Sequence, residues 1–195
     1  TRFFDQQFSL KGGTLLYKLY NTDRFSFDLD LTSPIRLDTA KVLRQFEKEG
    51  FRVKMQKQRR TKSDAFERYM FKRDGLGETT LRVEILKSEL NGEVVEFTSP
   101  YPPIPIFHLR IMPLEEVLHQ KQKAIMQRHK PRDVYDVYMI LKKYGLHASI
   151  HDMNALESAL NQVKDSWPSL EEIVTAKLPA FEKVQDTILR KVEEK

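Results

Sequence analysis

Asp28 and Asp30 stand two residues apart in the stretch RFSFDLDL, Arg24 to Leu31. In an extended chain alternate side chains point the same way, so these two carboxylates would sit close together. Each raises the other's pKa unless a cation neutralises the pair. Hard oxygen donors of this kind suit a divalent ion such as Mg²⁺ or Mn²⁺, which keeps coordination positions for water and phosphate. The bland alternative is a solvated strand face, with the aspartates in water or paired with Arg24. A third carboxylate, Glu84, lies in a second alternating stretch, LRVEILK. If the two strands pair side by side, Glu84 joins Asp28 and Asp30.

Positioning these groups falls to the elements around them. Period-two alternation makes RFSFDLDL a half-buried strand, with Phe25, Phe27, Leu29 and Leu31 toward a core and Arg24, Ser26, Asp28 and Asp30 on the other face. Upstream, QFSL reads as a strand entering a Gly12-Gly13 turn, and TLLYKLY repeats Leu15, Leu16, Leu19 and Tyr20 at helical spacing. Amides at such a turn and helix start attract anions, and glycine lets a phosphate approach the main chain. Gly12, Gly13 and Thr14 are therefore candidate phosphate contacts. LDTAKVLRQFEKEG reads as a helix capped by Asp38 and ended by Gly50. FRVKMQKQ, AFERYMFKRD and TTLRVEILKSEL read as strands, with Gly75 and Gly77 turning between the last two.

The stretch TSPYPPIPIFHLRIMP carries Pro100, Pro102, Pro103, Pro105 and Pro113. Proline lacks the donor a helix or central strand needs, so this stretch reads as an extended connection. Beyond it, periodicity predicts helices over 114–129, 131–144, 152–164 and from 169 onward. The organisation is then a mixed strand–helix core over 1–100, a proline-rich connection over 101–113, and a helical region over 114–195. In the first of these helices Leu114, Val117, Leu118, Ala124 and Ile125 form an apolar stripe that includes Lys121. Such a lysine either snorkels to the edge or pairs with a negative group; Lys123, one step off the stripe, faces solvent. Asp133 and Asp136 lie one helical turn apart after Pro131, where carboxylates suit the helix dipole or line a site.

Composition bounds the function. The chain has 195 residues, 40% hydrophobic and 31% charged, which suits one ordinary soluble domain or a domain with a helical extension. No apolar run is long enough to span a bilayer. No signal peptide is visible, and the first residue, Thr1, leaves room for an upstream segment. The absence of cysteine removes disulfides, thiolate metal sites and cysteine nucleophiles, and fits a reducing cytoplasm. The five histidines show no metal-ligand spacing. A net charge of +5 suits an anionic partner. Six basic residues and no acid occur in RVKMQKQRRTK: Arg52, Lys54, Lys57, Arg59, Arg60 and Lys62. They form either a solvated surface or a phosphate-contacting patch, with Arg52, Lys54 and Gln56 on one strand face and Lys57–Lys62 on a loop.

Taken together, G-G-T, thirteen residues, Asp-Leu-Asp, and then a strand with Glu between hydrophobic residues resemble the DNA polymerase β-like nucleotidyltransferase superfamily. LKGGTLLYKLY…RFSFDLDL looks more closely like the AbiEii/AbiGii nucleotidyltransferase toxins of abortive-infection toxin–antitoxin systems. EVLHQKQKAIMQRHKPRDVYDVYMI resembles that group's helical lysine followed by Arg-Asp-x-Tyr-Asp. The resemblance implies an α+β nucleotidyltransferase fold with a mixed sheet, flanking helices and a C-terminal helical region. It implies metal-dependent transfer of a nucleoside monophosphate from a nucleoside triphosphate to a hydroxyl of RNA, such as a tRNA end, and a cognate antitoxin. Asp28 and Asp30 would hold the metal, with Glu84 aiding a second ion or the attacking hydroxyl. Gly12, Gly13, Thr14, Ser26 and Lys121 would cradle the phosphates, and Asp133 would line the site. Two other classes stay open: a metal-dependent phosphodiesterase or nuclease, and a non-catalytic RNA-binding module.

Overall fold

The computed structural model describes residues 8–35, 38–60, 65–73, 80–98, 106–147, 150 and 152–193. The chain divides into two compact units, and their boundaries do not follow the consecutive blocks expected from the sequence. One unit holds residues 1–15 and 27–113; the other holds 16–26 and 114–195.

Among the described residues the first unit is built on a mixed sheet of seven strands: β1 (Ser9–Lys11), β2 (Asp28–Ser33), β3 (Phe51–Arg60), β4 (Ala65–Arg73), β5 (Thr80–Lys87), β6 (Val94–Phe97) and β7 (Phe107–Ile111). Their order across the sheet is β3-β4-β5-β2-β1-β7-β6. β2 runs parallel to β5 and antiparallel to β1, placing Asp30 beside Glu84 on one side and Lys11 on the other. β4 explains its own place: Ala65, Glu67, Tyr69 and Phe71 alternate as a buried face against half-exposed Phe66, Arg68, Met70 and Lys72. The buried face packs on helix α2 (Thr39–Lys48), whose Phe46 ring meets Phe71 at 4.5 Å and Phe51 at 6.1 Å. Asp38 caps that helix by accepting from the Lys41 N–H, a contact worth about 1 kcal/mol.

Three expectations change here. Phe107–Ile111 was expected within the proline-rich connection; it is a strand, paired with β1 and β6, while residues 99–105 lie outside the described residues. The Gly12-Gly13 pair is no separate turn, because helix α1 (Gly12–Leu19) begins at Gly12 itself. The strand over RFSFDLDL starts at Asp28, four residues late, and Phe25 and Phe27 are 37% and 66% exposed rather than core. The Gly75–Gly77 turn falls outside the described residues.

The second unit is helical: α3 (Leu114–Arg128), α4 (Pro131–Tyr144), α5 (Met153–Asn161), a 3₁₀ segment (Lys164–Glu172) and α6 (Phe181–Glu193). α4 is its centre. Every residue from Asp133 to Leu141 is buried, Pro131 opens the helix where its missing N–H costs nothing, and Gly145 closes it in the left-handed region. The single helix expected from 169 onward is instead the 3₁₀ segment, a non-helical stretch and α6. Pro168 lies within the 3₁₀ segment. Trp167 is buried there, donating its indole N–H to the Pro179 carbonyl and packing on Phe181 and Tyr135. Among the described residues no helix is long and apolar enough to cross a membrane.

Candidate active site

Gly12 starts α1 with φ of 72°, a conformation side-chain-bearing residues rarely adopt. A β-carbon there would fall 2.2 Å from Asp30 Oδ2. The glycine therefore serves the backbone geometry and makes room for a carboxylate. Asp30 consequently lies against the start of α1, where N–H groups have no intrahelical acceptor and the dipole favours negative charge. Thr14 donates its hydroxyl to the Asp28 carbonyl oxygen, fastening the helix start to β2.

The parallel pairing of β2 and β5 sets Asp28 beside Arg82 and Asp30 beside Glu84 on one sheet face. Arg82 Nε lies 3.0 Å from Asp28 Oδ1, but that buried oxygen has no aligned hydrogen bond. Glu84 accepts from Arg68 Nε at 2.9 Å. The three carboxylates are thus neighbours in register, each of the outer two turned to an arginine. Among the described residues no three acidic, histidine or cysteine side chains form a group ready to hold a metal ion. In donor chemistry the trio still fits a divalent ion: every ligand is a hard oxygen, and a cation would satisfy the orphaned Asp28 oxygen. Arg82 and Arg68 occupy the role of counter-charge meanwhile. The sequence held a signal for Arg82, which stands two residues before Glu84; the role of Arg68 appears only with the strand pairing.

Ser26 does not share this face by strand alternation, since β2 begins after it. The reason is Arg24. Its guanidinium is buried in the second unit, donating from Nε and an Nη to the two oxygens of Asp136 at 2.7 and 2.9 Å. Residues 23–25 pair with 173–175 through Phe25 N–H to Ile173 carbonyl and Thr175 N–H to Asp23 carbonyl, both 2.7 Å. A buried acceptor more than a hundred residues away thus removes the arginine from the expected strand.

Lys121 and Asp133 belong to that same buried network. The Lys121 ammonium is 3.0 Å from Asp133 Oδ1 and 2.7 Å from Asp136 Oδ2, and both aspartates are fully buried. Lys121 therefore pairs rather than snorkels, while Lys123 is exposed. Arg128 grips Asp133 from the edge, with Nε and an Nη donating at 2.7 and 2.8 Å. Burial is the largest influence on Asp133 and pushes its pKa up, but Arg128 and Lys121 together outweigh it and hold the carboxyl below 3.8. Burial likewise opposes the charge of Arg24, and Asp136 overcomes it, leaving the guanidinium above its ordinary value. Tyr135, buried beside the network, is pushed up to about 12, chiefly by burial and then by Asp23. Asp136, set below Asp133 as a sequence candidate, carries as much of the network as Asp133 does.

As far as Arg60 the basic run is one strand, so Lys57 and Arg59 do not lie on the expected loop. β3 extends to Arg60, and its register against β4 shifts between Met55 and Lys57. Lys62 lies outside the described residues, and Arg60 pairs with Ala65 at the register position alternate to Arg59.

Comparison with known proteins bears on this geometry. A family model described as nucleotidyl transferase AbiEii toxin, type IV toxin–antitoxin system, matches residues 1–192. No curated protein sequence matches the chain significantly. Among solved structures, JHP933 from Helicobacter pylori shares 22% identity over 97% of this chain and 84% of its own, with a TM-score of 0.57. MenT4, a nucleotidyltransferase toxin from Mycobacterium tuberculosis, shares 18% identity over 96% of this chain and 75% of its own, also at 0.57. The likeness to both is one of fold.

Proposed function

The chain belongs to the AbiEii family of nucleotidyltransferase toxins, and on that premise we propose that it transfers a nucleoside monophosphate from a nucleoside triphosphate to an RNA hydroxyl, using Asp28, Asp30 and Glu84. The observation that carries this reading is the register of β2 against β5, which lines up three carboxylates, with Asp30 against the start of α1. Asp28 and Asp30 would hold the divalent ion, Mg²⁺ or Mn²⁺, which when bound would neutralise the polyphosphate and act as a Lewis acid on the α-phosphate oxygens. Main-chain N–H groups at the Gly12-Gly13 helix start would meet phosphate oxygens only with the ion neutralising the Asp30 carboxylate that lies against Gly12. Glu84 receives the proton of the acceptor hydroxyl. As the hydroxyl oxygen bonds to the α-phosphorus, the bond to the bridging oxygen breaks and pyrophosphate leaves. Thr14, with its hydroxyl on the Asp28 carbonyl, acts by positioning β2.

The acceptor is proposed as RNA because the same sheet carries a basic edge strand, and a tRNA end is the form the resemblance implies. As a toxin of a type IV system, the protein has a cognate antitoxin as its family partner. Incubation with total RNA and each α-labelled triphosphate, with and without Mg²⁺, tests the reading. Label entering RNA only with the metal supports it. Release of mononucleotides without any triphosphate would indicate a phosphodiesterase, and RNA binding with no chemistry a binding module.

A further inference from the structure

Strand alternation alone would scatter the basic residues of β3 over both faces of the sheet. Arg52 and Lys54 pair with Lys72 and Met70, which places them on the face that also carries Asp28, Asp30 and Glu84. Simple alternation would then send Lys57 and Arg59 to the opposite face, toward the aromatic cluster of Phe46, Phe51 and Phe71. A β-bulge prevents this. Met55 pairs with Tyr69, Lys57 pairs with Arg68, and Gln56 is the extra residue between them. One added residue reverses the phase of the strand, so Lys57 and Arg59 join Arg52 and Lys54. All four side chains are exposed.

We propose that this bulge makes the outer face of β3 and β4 a track for single-stranded RNA that runs abreast of the carboxylates, three strands away. Successive same-face residues on a strand are about 6.6–6.8 Å apart, giving an extended line of positive charge rather than a compact cluster. An extended phosphate backbone fits that line, and each phosphate contact releases counterions. Phe66 shares the face, opposite Arg59, with the Arg68 guanidinium 5.8 Å from its ring centroid. An aromatic ring among cations is what unpaired bases use for stacking, whereas the bases of a duplex are already stacked. From Lys57 the register runs through Arg68 and Glu84 to Asp30, three strand spacings or about 14 Å. RNA held on the track can therefore present its end to the carboxylates. The destination rests on the proposed function; the track does not.

The test is fluorescence anisotropy of a labelled single-stranded RNA oligonucleotide, in EDTA and without nucleotide, over a salt series. Lys54→Ser/Lys57→Ser is expected to weaken binding and reduce the log–log salt slope by about 1.4, at about 0.7 per lost contact. Phe66→Leu is expected to weaken binding about five-fold or more with the slope unchanged. Circular dichroism melts matching the wild type confirm that both variants are folded. Three results would each overturn the track: an unchanged slope in the double variant, a duplex of the same sequence binding as tightly, or polyglutamate displacing RNA as well as polyuridylate does. RNA binding that follows these expectations in a protein that transfers no nucleotide would count against the proposed function alone.

Discussion

Gly12 and Asp30 occupy adjoining space at the junction of α1 and β2: a β-carbon on the glycine would lie 2.2 Å from Asp30 Oδ2. The motif glycine and the motif aspartate, eighteen positions apart in the chain, are thus one structural feature. The helix start can carry no side chain because a carboxylate already lies there.

Replacing Gly12 by Ala acts twice. The left-handed backbone strain costs about 1–3 kcal/mol, and the new methyl displaces the Asp30 carboxylate. Urea unfolding is expected to show the loss of stability, and a Mg²⁺ titration a weaker ion affinity. A variant as stable and as metal-responsive as the wild type would show that the two residues do not meet.

Lys121→Met leaves Asp133 and Asp136 short of a buried cation. Removing one partner from such a network costs about 3–5 kcal/mol, to be read from denaturant unfolding. The resemblance also gives Lys121 a role toward phosphates, and a second readout separates the two. The rise in melting temperature with Mg²⁺ and a nucleoside triphosphate survives in the variant if the lysine is only structural, and shrinks if it binds phosphate.

Acid pH addresses the same network. Asp133 sits below its ordinary pKa of 3.8 in the folded protein, so the unfolded chain binds the proton more readily. Its stabilising contribution is complete above the unfolded value and fades as pH falls through the folded one, a loss beginning below about pH 5. Over that window wild-type stability is expected to fall more steeply than that of Asp133→Asn. Parallel slopes would mean that Arg128 and Lys121 do not hold this carboxylate ionised.

Much of this was legible in the residues, for identifiable reasons. The Asp-Leu-Asp pair, Glu84 and the glycines are local patterns whose spacing already implied a shared face, and the pairing of β2 with β5 supplies it. What stayed hidden depends on distant partners. Arg24 looks like one more polar residue in an alternating strand until Asp136 claims it. The bulge at Gln56 leaves no mark in FRVKMQKQRR, because exposed lysines and arginines read alike on either face. Phe107–Ile111 reads as part of a proline-rich connection until β1 and β6 provide its ladder.

Arg82 offers a measurement of the cation's competition for Asp28. The pair is partly exposed, so Arg82→Ala alone is expected to cost no more than about 1 kcal/mol. With the guanidinium gone, Asp28 loses its neighbouring cation, and Mg²⁺ binding to the folded state is worth more. Differential scanning fluorimetry across a Mg²⁺ series is expected to show a larger rise in melting temperature than in the wild type. An equal or smaller rise would place the ion elsewhere.

The carboxylates themselves are tested most directly by Asp28→Asn and Asp30→Asn, each assayed for Mg²⁺-dependent transfer of α-labelled nucleotide to RNA alongside a thermal melt. The Arg82–Asp28 ion pair is partly exposed and worth little, and repulsion between the aspartates is relieved, so both variants are expected to melt near the wild-type temperature without metal. Both are expected to transfer no label. Wild-type transfer in either folded variant would contradict the assignment of this face as the catalytic centre.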